Sequence, residues 1–354
     1  MKIARYIDPD WHHYCVREYK LKDSIIENFD QYKEVKVDAK YSYLQNFKAS
    51  TASVQELETR IRQHLQIANH VFVGLGEPLL IYEEKDQGPF YTNDFINKFT
   101  EDDKVTFFAN LKSHVPLNRP MHYLNDMFFK SNNIYKEHEM CKQLLDKLTT
   151  GNKKFYWELM CSNEINLYHM LKRHEVDHKT FSTCHALGIS HWGPDVVAPT
   201  DQRSGAEYIA GERNIRVSDL IDPSIYNQSY YSCVVETVIP EDNRMSMFSE
   251  KEAKPIITKR PFMIVGTKDH LKAFRDLGFK TFSPVIDESY DDEPDRDKRY
   301  SMILDAMNEL TKMDTTEVFE QLGPVLQHNH DHFYNNDWNE KLLTAWFTPS
   351  QLLE

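Results

Sequence analysis

The sequence lacks any apolar run long enough to cross a membrane, and its charged start, MKIARYIDPDW, is unlike a signal peptide. We therefore expect a cytoplasmic protein with no membrane partner. C-x-x-C pairs are also absent, and the number of cysteines is odd. The cysteines are widely scattered, which predicts reduced thiols in the core or on the surface: Cys15, Cys141, Cys161, Cys184 and Cys233.

Several well-known catalytic motifs are missing as well. The chain has no P-loop and no G-x-G-x-x-G sequence, which leaves no basis for an ATPase or an ordinary dinucleotide-binding enzyme. It has no G-x-S-x-G element either, so the usual serine hydrolase is excluded.

The excess of acidic residues argues against a general affinity for nucleic acid. The formal net charge is -13, whereas proteins that bind phosphate backbones normally present a basic surface. The charge is uneven, because residues 1–150 contain 20 Lys and Arg against 22 Asp and Glu, and residues 151–354 contain 22 against 33. The near-neutral first part leaves room for a local basic face, although a solvated surface of mixed charge explains the same residues: Lys104, Lys112, Arg119 and Lys130.

Length and patterning predict two α/β domains. A chain of 354 residues is long enough for two cores, and we place the domains at 1–150 and 151–330, with a tail over 331–354 that packs on the body. In the first domain we expect a helix near Val54–Ala68 and strands at His70–Val73 and Val105–Asn110. In the second we expect a strand at Phe155–Cys161, a helix from Ile165, an excursion or loop over Thr200–Arg216, a strand at Tyr230–Ile239 and a helix over Arg299–Met313.

The stretch from Phe248 to Tyr290 suggests chemistry. Ser249 followed by Glu252 is a capping-box pattern, which predicts a helix that begins at Ser249 with Glu250 and Lys251 in its first turn. The free N–H groups and the positive dipole end of such a helix favour an anion.

The same stretch predicts alternating strands and helices. Pro261–Val265 is typical of a buried strand, Thr267 is expected to cap the next helix, and Gly278 is expected to end it. A strand over Phe279–Phe282 should follow. This alternation indicates a parallel sheet, whose ligands lie at the carboxyl ends of its strands.

Two histidine groups are candidate metal ligands. The alternate histidines of His328–His332 suit a metal on a strand-like segment, although a polar loop after a helix explains them equally. His12 and His13 are a second candidate of the same kind. We expect no metal site and no cofactor.

Glu250 and Lys251 are stronger candidates for ligand binding. A carboxylate accepts both hydroxyls of a ribose, and an ammonium beside a helix N-terminus holds a diphosphate, so the pair suits a nucleoside diphosphate. Charges that merely cap a surface helix explain the same residues without a ligand.

At these residues the sequence resembles a known family. The runs SEKEAKPI, RPFMIVG, LGFKTF and DESYD are similar to the donor-binding half of GT-B glycosyltransferases of the fucosyltransferase type, in particular a group encoded by tailed phages. The resemblance covers roughly residues 155–335. It implies two Rossmann-like domains that face a central cleft, with the acceptor side first and a nucleotide-sugar donor domain second.

The resemblance also implies roles for particular residues. Glu250 and Lys251 would contact the nucleotide ribose and diphosphate beside Ser249, and YYSCVVET would be the family strand that ends in Glu236 and Thr237. The chain departs from the family where an arginine-rich loop is common, because it has Cys161-Ser162-Asn163-Glu164 there. The diphosphate-binding arginine therefore does not carry over, and candidates to replace it are Arg216, Arg213 and Arg173.

The acceptor is expected by resemblance alone. The chain looks like the sugar transferases of T-even-like phages that modify 5-hydroxymethylcytosine in double-stranded DNA, with arabinosyl transfer favoured over glucosyl transfer. A UDP-sugar would be the donor, no cofactor would be needed, and the enzyme would act in the host cytoplasm. Two alternatives stay open, namely transfer to a glycan or small nucleotide and a non-catalytic nucleotide-binding protein.

Transfer to a primary hydroxyl requires a base that takes its proton. In two-domain transferases the base usually comes from the first domain, at the end of a strand facing the cleft. Asp8 and Asp10 follow an expected first strand at Lys2–Ile7, and Glu77 follows the strand at His70–Val73, so these three residues are the candidates, although each is also an ordinary turn or cap residue.

Overall fold

The computed structural model describes residues 126–189 and 245–336 without a break. It also describes residues 220–237, 239, 241, 243 and 338. In the rest of the chain it describes the segments 4–5, 18–19, 24–28, 32–37, 41–46, 58–63, 65–66, 70–75, 93–100, 104–109, 112–113, 121–123, 200–201, 208–209 and 212–216.

The chain divides into two compact units. One consists of Met1–Met127 with Asp337–Glu354, and the other of Phe128–Asn336. The units therefore divide between Met127 and Phe128, whereas domain boundaries at residues 150 and 330 stay a prediction. The helix expected from Trp338 onward lies outside the described residues apart from Trp338 itself.

The first unit contains a mixed six-stranded sheet in the order β3-β4-β5-β6-β7-β9. Its first three strands are antiparallel, and β5, β6, β7 and β9 are parallel to one another. The predicted strands at His70 and Val105 are confirmed as β6 and β7. The strands of the unit are β1 (Ala4–Arg5), β2 (Glu18–Tyr19), β3 (Ser24–Asn28), β4 (Tyr32–Val37), β5 (Tyr41–Asn46), β6 (His70–Leu75), β7 (Val105–Ala109), β8 (Lys112–Ser113) and β9 (Met121–Tyr123).

Aromatic side chains pack beside the parallel part of this sheet. Helix α1 covers residues 58–63, and α2 is Asn93–Ile96. Phe95 and Phe99 contact Phe107 of β7, with ring centroids 6.0 and 5.6 Å away. Ile61 of α1 is also fully buried. Helix α1 therefore lies within the region near Val54–Ala68 where the apolar periodicity predicted a helix.

The second unit contains a four-stranded sheet in the order β11-β10-β15-β17, and all of its strands are parallel. This confirms the prediction of an α/β fold with a parallel sheet. A parallel sheet covered by helices is buried on both faces, so its strands correspond to continuous apolar runs in the sequence. The strands of the unit are β10 (Phe155–Cys161), β11 (Thr180–Cys184), β12 (Thr200–Asp201), β13 (Tyr208–Ile209), β14 (Glu212–Arg216), β15 (Ser229–Val235), β16 (Met245–Ser246) and β17 (Phe262–Val265).

Helices of the second unit pack against this sheet. Trp157 of β10 is fully buried, and its indole Nε1 donates a hydrogen bond of 3.0 Å to the carbonyl of Met307. The helices are α3 (Asp126–Glu137, whose first two residues precede the unit), α4 (Glu139–Asp146), α5 (Ile165–Leu171), α6 (Pro223–Tyr226), α7 (Glu250–Ile257), α8 (His270–Asp276), α9 (Arg296–Leu310) and α10 (Thr315–Asn335). Short 3-10 turns are Glu175–Lys179, His185–Leu187 and Ser289–Asp292.

Buried thiols occur throughout this unit. Cys141, Cys161, Cys184 and Cys233 are buried and form no disulfide, in agreement with the prediction of reduced thiols, and Cys15 lies outside the described residues. Burial raises the pKa of the Cys161 and Cys233 thiols, which keeps them protonated and poorly nucleophilic.

Two segments of this unit differ from expectation. Thr200–Arg216 was expected to be an excursion or loop, and β12, β13 and β14 pair there as a small separate antiparallel sheet, so the loop is wrong. Phe279–Phe282 is not a strand, and that prediction is wrong. The side chain of Asn329 on α10 takes the place of a neighbouring strand, because its amide accepts from the Lys280 N–H and donates to the Lys280 carbonyl, both at 2.8 Å.

The start of α8 also differs from expectation. Asp269 occupies the N-cap position with a φ of 61°, and Thr267 does not cap the helix. The carboxylate of Asp291 accepts hydrogen bonds from the N–H groups of Leu271 and Lys272, at 2.8 and 3.1 Å. The cap therefore comes from a distant residue. Gly278 follows the helix with a φ of 91°, which confirms its predicted role.

Candidate functional site

The strand order places a crevice at the carboxyl ends of β10 and β15. The chain runs from β10 to β11 on one side and later returns to β15 on the other side of β10. Ligands of open parallel sheets bind where the strand connections diverge in this way. Cys161 ends β10, and Val235 ends β15, so the residues that follow them lie at this edge.

Helix α7 begins beside this edge with a complete capping box. The Ser249 hydroxyl accepts from the Lys251 N–H at 3.3 Å, and the Glu252 carboxylate accepts from the Ser249 N–H at 2.9 Å. The predicted helix start is therefore confirmed. Since the box already uses some of the N-terminal N–H groups, side chains must supply much of any anion binding.

Two buried carboxyl groups flank the Ser249 hydroxyl. Ser249 Oγ lies 2.7 Å from Glu236 Oε1 and 3.3 Å from Glu252 Oε2. Both residues are at most 2% exposed. Burial and the neighbouring negative charge of Glu252 raise the pKa of Glu236 well above its usual value. The Ser249 hydroxyl can donate its proton to only one of the two carboxyl groups. The hydrogen bonding of Glu236 and Glu252 is therefore best satisfied when the two residues together hold one proton.

Lys251 extends from the first turn of α7 toward the end of β15. Its Nζ donates to Thr237 Oγ1 at 2.7 Å and lies 4.0 Å from Glu236 Oε2. One fifth of its side chain is exposed. The structure thus brings together the predicted residues Glu236, Thr237, Ser249 and Lys251, and the Lys251 side chain is partly exposed at their surface.

Glu250 and Lys251 are adjacent in the chain but differ in exposure. Glu250 is only 4% exposed, whereas the Lys251 side chain is 20% exposed. The Lys251 side chain is therefore the more exposed of the two in this conformation. Contact with Glu250 requires its carboxylate to become accessible.

A second layer of residues supports the cluster. His270 Nε2 lies 3.3 Å from Glu252 Oε1, and its ring packs edge-on against Phe248 with centroids 4.7 Å apart. Burial lowers the pKa of His270, which favours the neutral imidazole. Gly266, directly after β17, lies so close that a Cβ added to it would be 2.4 Å from His270 Nδ1. Its carbonyl accepts from Arg299 Nε at 3.0 Å.

Sequence reasoning missed these supporting residues. His270 and Arg299 belong to two different helices, and no local pattern joins them to Glu252. The available signal in the sequence was a histidine at the first position of the helix that follows β17.

Other predicted site residues fall outside the cluster that the structure describes. Arg213 and Arg216 belong to β14, where the structure describes the backbone but not these side chains. Arg173 is exposed just after α5. Asp8, Asp10 and Glu77 lie outside the described residues. Their assignment as the catalytic base stays a prediction.

The predicted strand-like metal segment at His328–His332 is wrong. These residues lie in α10, where His328 Nε2 and His332 Nε2 contact the carbonyls of Gly278 and Leu277 at 3.1 and 2.9 Å. The histidines therefore dock the end of α8 against α10. Among the described residues no group of three or more His, Cys, Asp or Glu side chains is arranged for a metal ion. His12 and His13 lie outside those residues.

Comparisons with protein-family models, curated proteins and solved structures returned no match for this chain. In the described part of the chain, no helix has the length and apolar character needed to cross a membrane. Function is therefore inferred from the arrangement of residues at the carboxyl end of the parallel sheet.

Proposed function

We propose that the protein is a glycosyltransferase that takes its sugar from a UDP-sugar bound at the carboxyl end of the parallel sheet in the second unit. The observation that carries the proposal is the position of Lys251. Its side chain is partly exposed, and Thr237 and Glu236 hold its ammonium at the edge of the crevice. A cation at a helix start beside that edge is suited to a diphosphate.

In this proposal Lys251 stabilises the charge of the departing UDP. Cleavage of the bond between the sugar and the diphosphate leaves negative charge on the diphosphate, and a fixed cation lowers the energy of that step. Glu236 and Ser249 are positioning residues, because they are buried and contact Lys251 or its backbone. Glu250 is assigned to the nucleotide ribose.

The acceptor is proposed to be 5-hydroxymethylcytosine in double-stranded DNA, with arabinose as the favoured sugar. In a GT-B arrangement, two Rossmann-like domains face a cleft and the first domain supplies the acceptor side. A carboxylate of that domain, from among Asp10, Glu77 and Asp8, would take the proton of the hydroxymethyl group as the new bond to the sugar forms. The target base would leave the duplex to reach the cleft.

Binding of UDP tests the donor site. We expect Lys251→Ala to weaken UDP binding about tenfold or more, because a charge-assisted contact to the diphosphate is lost. Isothermal titration calorimetry measures this change. Lys142→Ala is the matched control, since Lys142 is an exposed lysine on α4. Equal UDP affinity of the Lys251 variant and the wild type would remove the assigned role.

Sugar transfer tests the function itself. The protein is incubated with hydroxymethylated DNA, plain DNA, glycans and free nucleotides, each with a panel of UDP-sugars, and product masses are measured. The proposal expects a pentose or hexose on hydroxymethylcytosine alone. A mass gain on a glycan or a nucleotide would identify the alternative acceptor. UDP binding without any transfer would favour a non-catalytic nucleotide-binding protein.

A further inference from the structure

A cavity lies at the end of the parallel sheet opposite the candidate donor site. Its volume is about 480 Å³, which is within the range of small-molecule sites. Lys153 precedes β10, Ser229 begins β15 and Arg260 precedes β17, and all three line the cavity. Because these strands are parallel, the cavity is at their amino ends, away from the candidate donor site.

The lining of this cavity is cationic in an acidic protein. Lys153, Lys259 and Arg260 line it, and no carboxylate is found among its described lining residues. The whole chain, by contrast, has a formal charge of -13. Hydroxyl groups surround the cations: Thr149, Thr150, Ser229, Thr258, Thr315 and Thr316. Cations interspersed with hydroxyl donors are the groups that bind phosphate.

The two lysines are held by neutral acceptors. Lys153 Nζ donates to the Thr149 carbonyl at 2.5 Å, and Lys259 Nζ donates to Gln327 Oε1 at 2.9 Å. Neither forms an ion pair within the described part of the chain. Burial and the nearby positive charge of Arg260 lower the pKa of Lys153. An anion in the cavity would relieve this repulsion between like charges.

Arg260 lines the cavity with a guanidinium that is fixed by several hydrogen bonds. Its guanidinium donates to the carbonyls of Tyr226, Ser229 and Tyr231 and to the Ser229 hydroxyl, at 2.8 to 3.2 Å. The buried carboxyl group of Glu158, on β10, interacts electrostatically with this guanidinium. Arg260 is therefore partly compensated. Lys259 interacts electrostatically with Asp331, which also accepts from the Gln327 amide, and neither carboxylate lines the cavity.

Lys259 occupies a position that normally favours glycine. Its φ is 50°, and it follows the end of α7 in a Schellman motif. In this motif the N–H groups of Lys259 and Arg260 donate to the carbonyls of Ile256 and Pro255, at 3.2 and 2.9 Å. A lysine is strained there, so backbone stability does not explain its presence.

We propose that this cavity binds a small organic phosphate. The ammonium groups of Lys153 and Lys259 hold the phosphate, and the rings of Tyr230 and Phe319, which also line the cavity, cover the organic part. The site is separate from the donor site and does not depend on the proposed transferase activity.

Calorimetric titration of the full-length protein with ribose 5-phosphate tests the site, with ribose as the uncharged control. We expect saturable binding of ribose 5-phosphate and none of ribose. Lys153→Gln and Lys259→Gly should each weaken binding about tenfold, since each removes one charged contact. Lys142→Gln, on the exposed face of α4, and Lys251→Ala, at the donor site, should bind as the wild type does.

Lys259→Gly separates ligand binding from folding. Glycine accepts the left-handed backbone at this position, so the melting temperature should stay the same or rise while the affinity falls. No saturable binding up to about 10 mM ligand by the wild type would overturn the proposal. Wild-type affinity in both lysine variants, or loss of binding in Lys251→Ala, would overturn it as well.

Discussion

At the residue scale, the buried acid pair beside Lys251 links the candidate site to pH. Glu236 has a pKa well above its usual value, first because it is buried and then because Glu252 is next to it. A group whose pKa is raised by folding stabilises the protein below its unfolded pKa and loses that contribution as the pH rises through its folded pKa. The pair therefore favours the folded protein in acid and opposes it in alkali.

Glu236→Gln should remove this dependence. A glutamine keeps a hydrogen-bonding group near Ser249 and carries no charge at any pH, so the variant should gain stability relative to the wild type as the pH rises from about 5 to about 8, by about 1 kcal/mol or more. Chemical denaturation at a series of pH values measures the difference. A gap between the two proteins that stays constant with pH would contradict the assignment.

Gly266→Ala should disturb the support beneath the cluster. The new Cβ would lie 2.4 Å from Nδ1 and 2.8 Å from Cγ of His270, and this ring is buried against Phe248. We expect the free energy of unfolding to fall by about 1–3 kcal/mol, as in overpacked cores.

Gly323→Ala is the control for that substitution. Gly323 lies within α10, and no atom lies within 4 Å of a Cβ built there. Alanine should therefore raise stability by about 0.5–1 kcal/mol through helix propensity. Thermal denaturation of both variants compares them. Equal effects of the two alanines would show that His270 yields to the added methyl group.

At the element scale, side chains of α10 form hydrogen bonds to the backbone around the end of α8, as a neighbouring strand would. Asn329 is 1% exposed and pairs with both backbone groups of Lys280. His328 and His332 bond to the two residues at the end of α8. These contacts order the segment after α8 without adding it to the sheet.

Asn329→Leu should release this segment. Two backbone groups of Lys280 would lose their partner, which should cost about 2–4 kcal/mol and speed hydrogen exchange of the Lys280 amide. Gln321→Leu, at an exposed position on the same helix, should change stability by less than about 0.5 kcal/mol. Unchanged protection of the Lys280 amide in the Asn329 variant would argue against the proposed role.

The elements that sequence patterns predicted well are those with local causes. The apolar runs at Phe155 and Phe262 form strands because parallel strands are buried on both faces, and Ser249 with Glu252 starts α7 because a capping box acts within one turn. The cap of α8 by Asp291 and the pairing of Lys280 with Asn329 depend on residues 20 and 49 positions away. Such partners carry no local signature.

The candidate site shows the same division. Lys251 was predicted from the pattern around one helix start and Glu236 from the resemblance of YYSCVVET to a family strand, and the structure places the two residues together. The contact of His270 with Glu252 and the close approach of Gly266 arise from the packing of β17 and α8 on the sheet. Such features follow only from the assembled unit.

At the scale of the whole molecule, the second unit has the features of an independent domain. It contains a parallel sheet, the helices that cover it and the candidate donor site. Its aromatic core includes Phe128, whose ring lies 5.0 to 6.0 Å from those of Phe333, Phe279 and Phe248. Each of these rings belongs to the same unit.

A fragment of residues 126–336 should therefore fold by itself. We expect cooperative thermal unfolding and UDP affinity equal to that of the full chain, because α3 and the cluster around Lys251 are kept. Circular dichroism and calorimetry measure both properties. A fragment that unfolds without cooperativity would show that this unit needs the rest of the chain.

The enclosure of Trp157 has a spectroscopic consequence for this unit. Its indole is shielded from water, bonded to the Met307 carbonyl and packed against Tyr231 at a centroid distance of 5.1 Å. An indole in such apolar surroundings emits at shorter wavelength than one in water, and dissolved quenchers such as iodide do not reach it. The chain has five tryptophans, so Trp157 reports on the parallel sheet through the short-wavelength, iodide-resistant part of the emission, which opening of the sheet would remove.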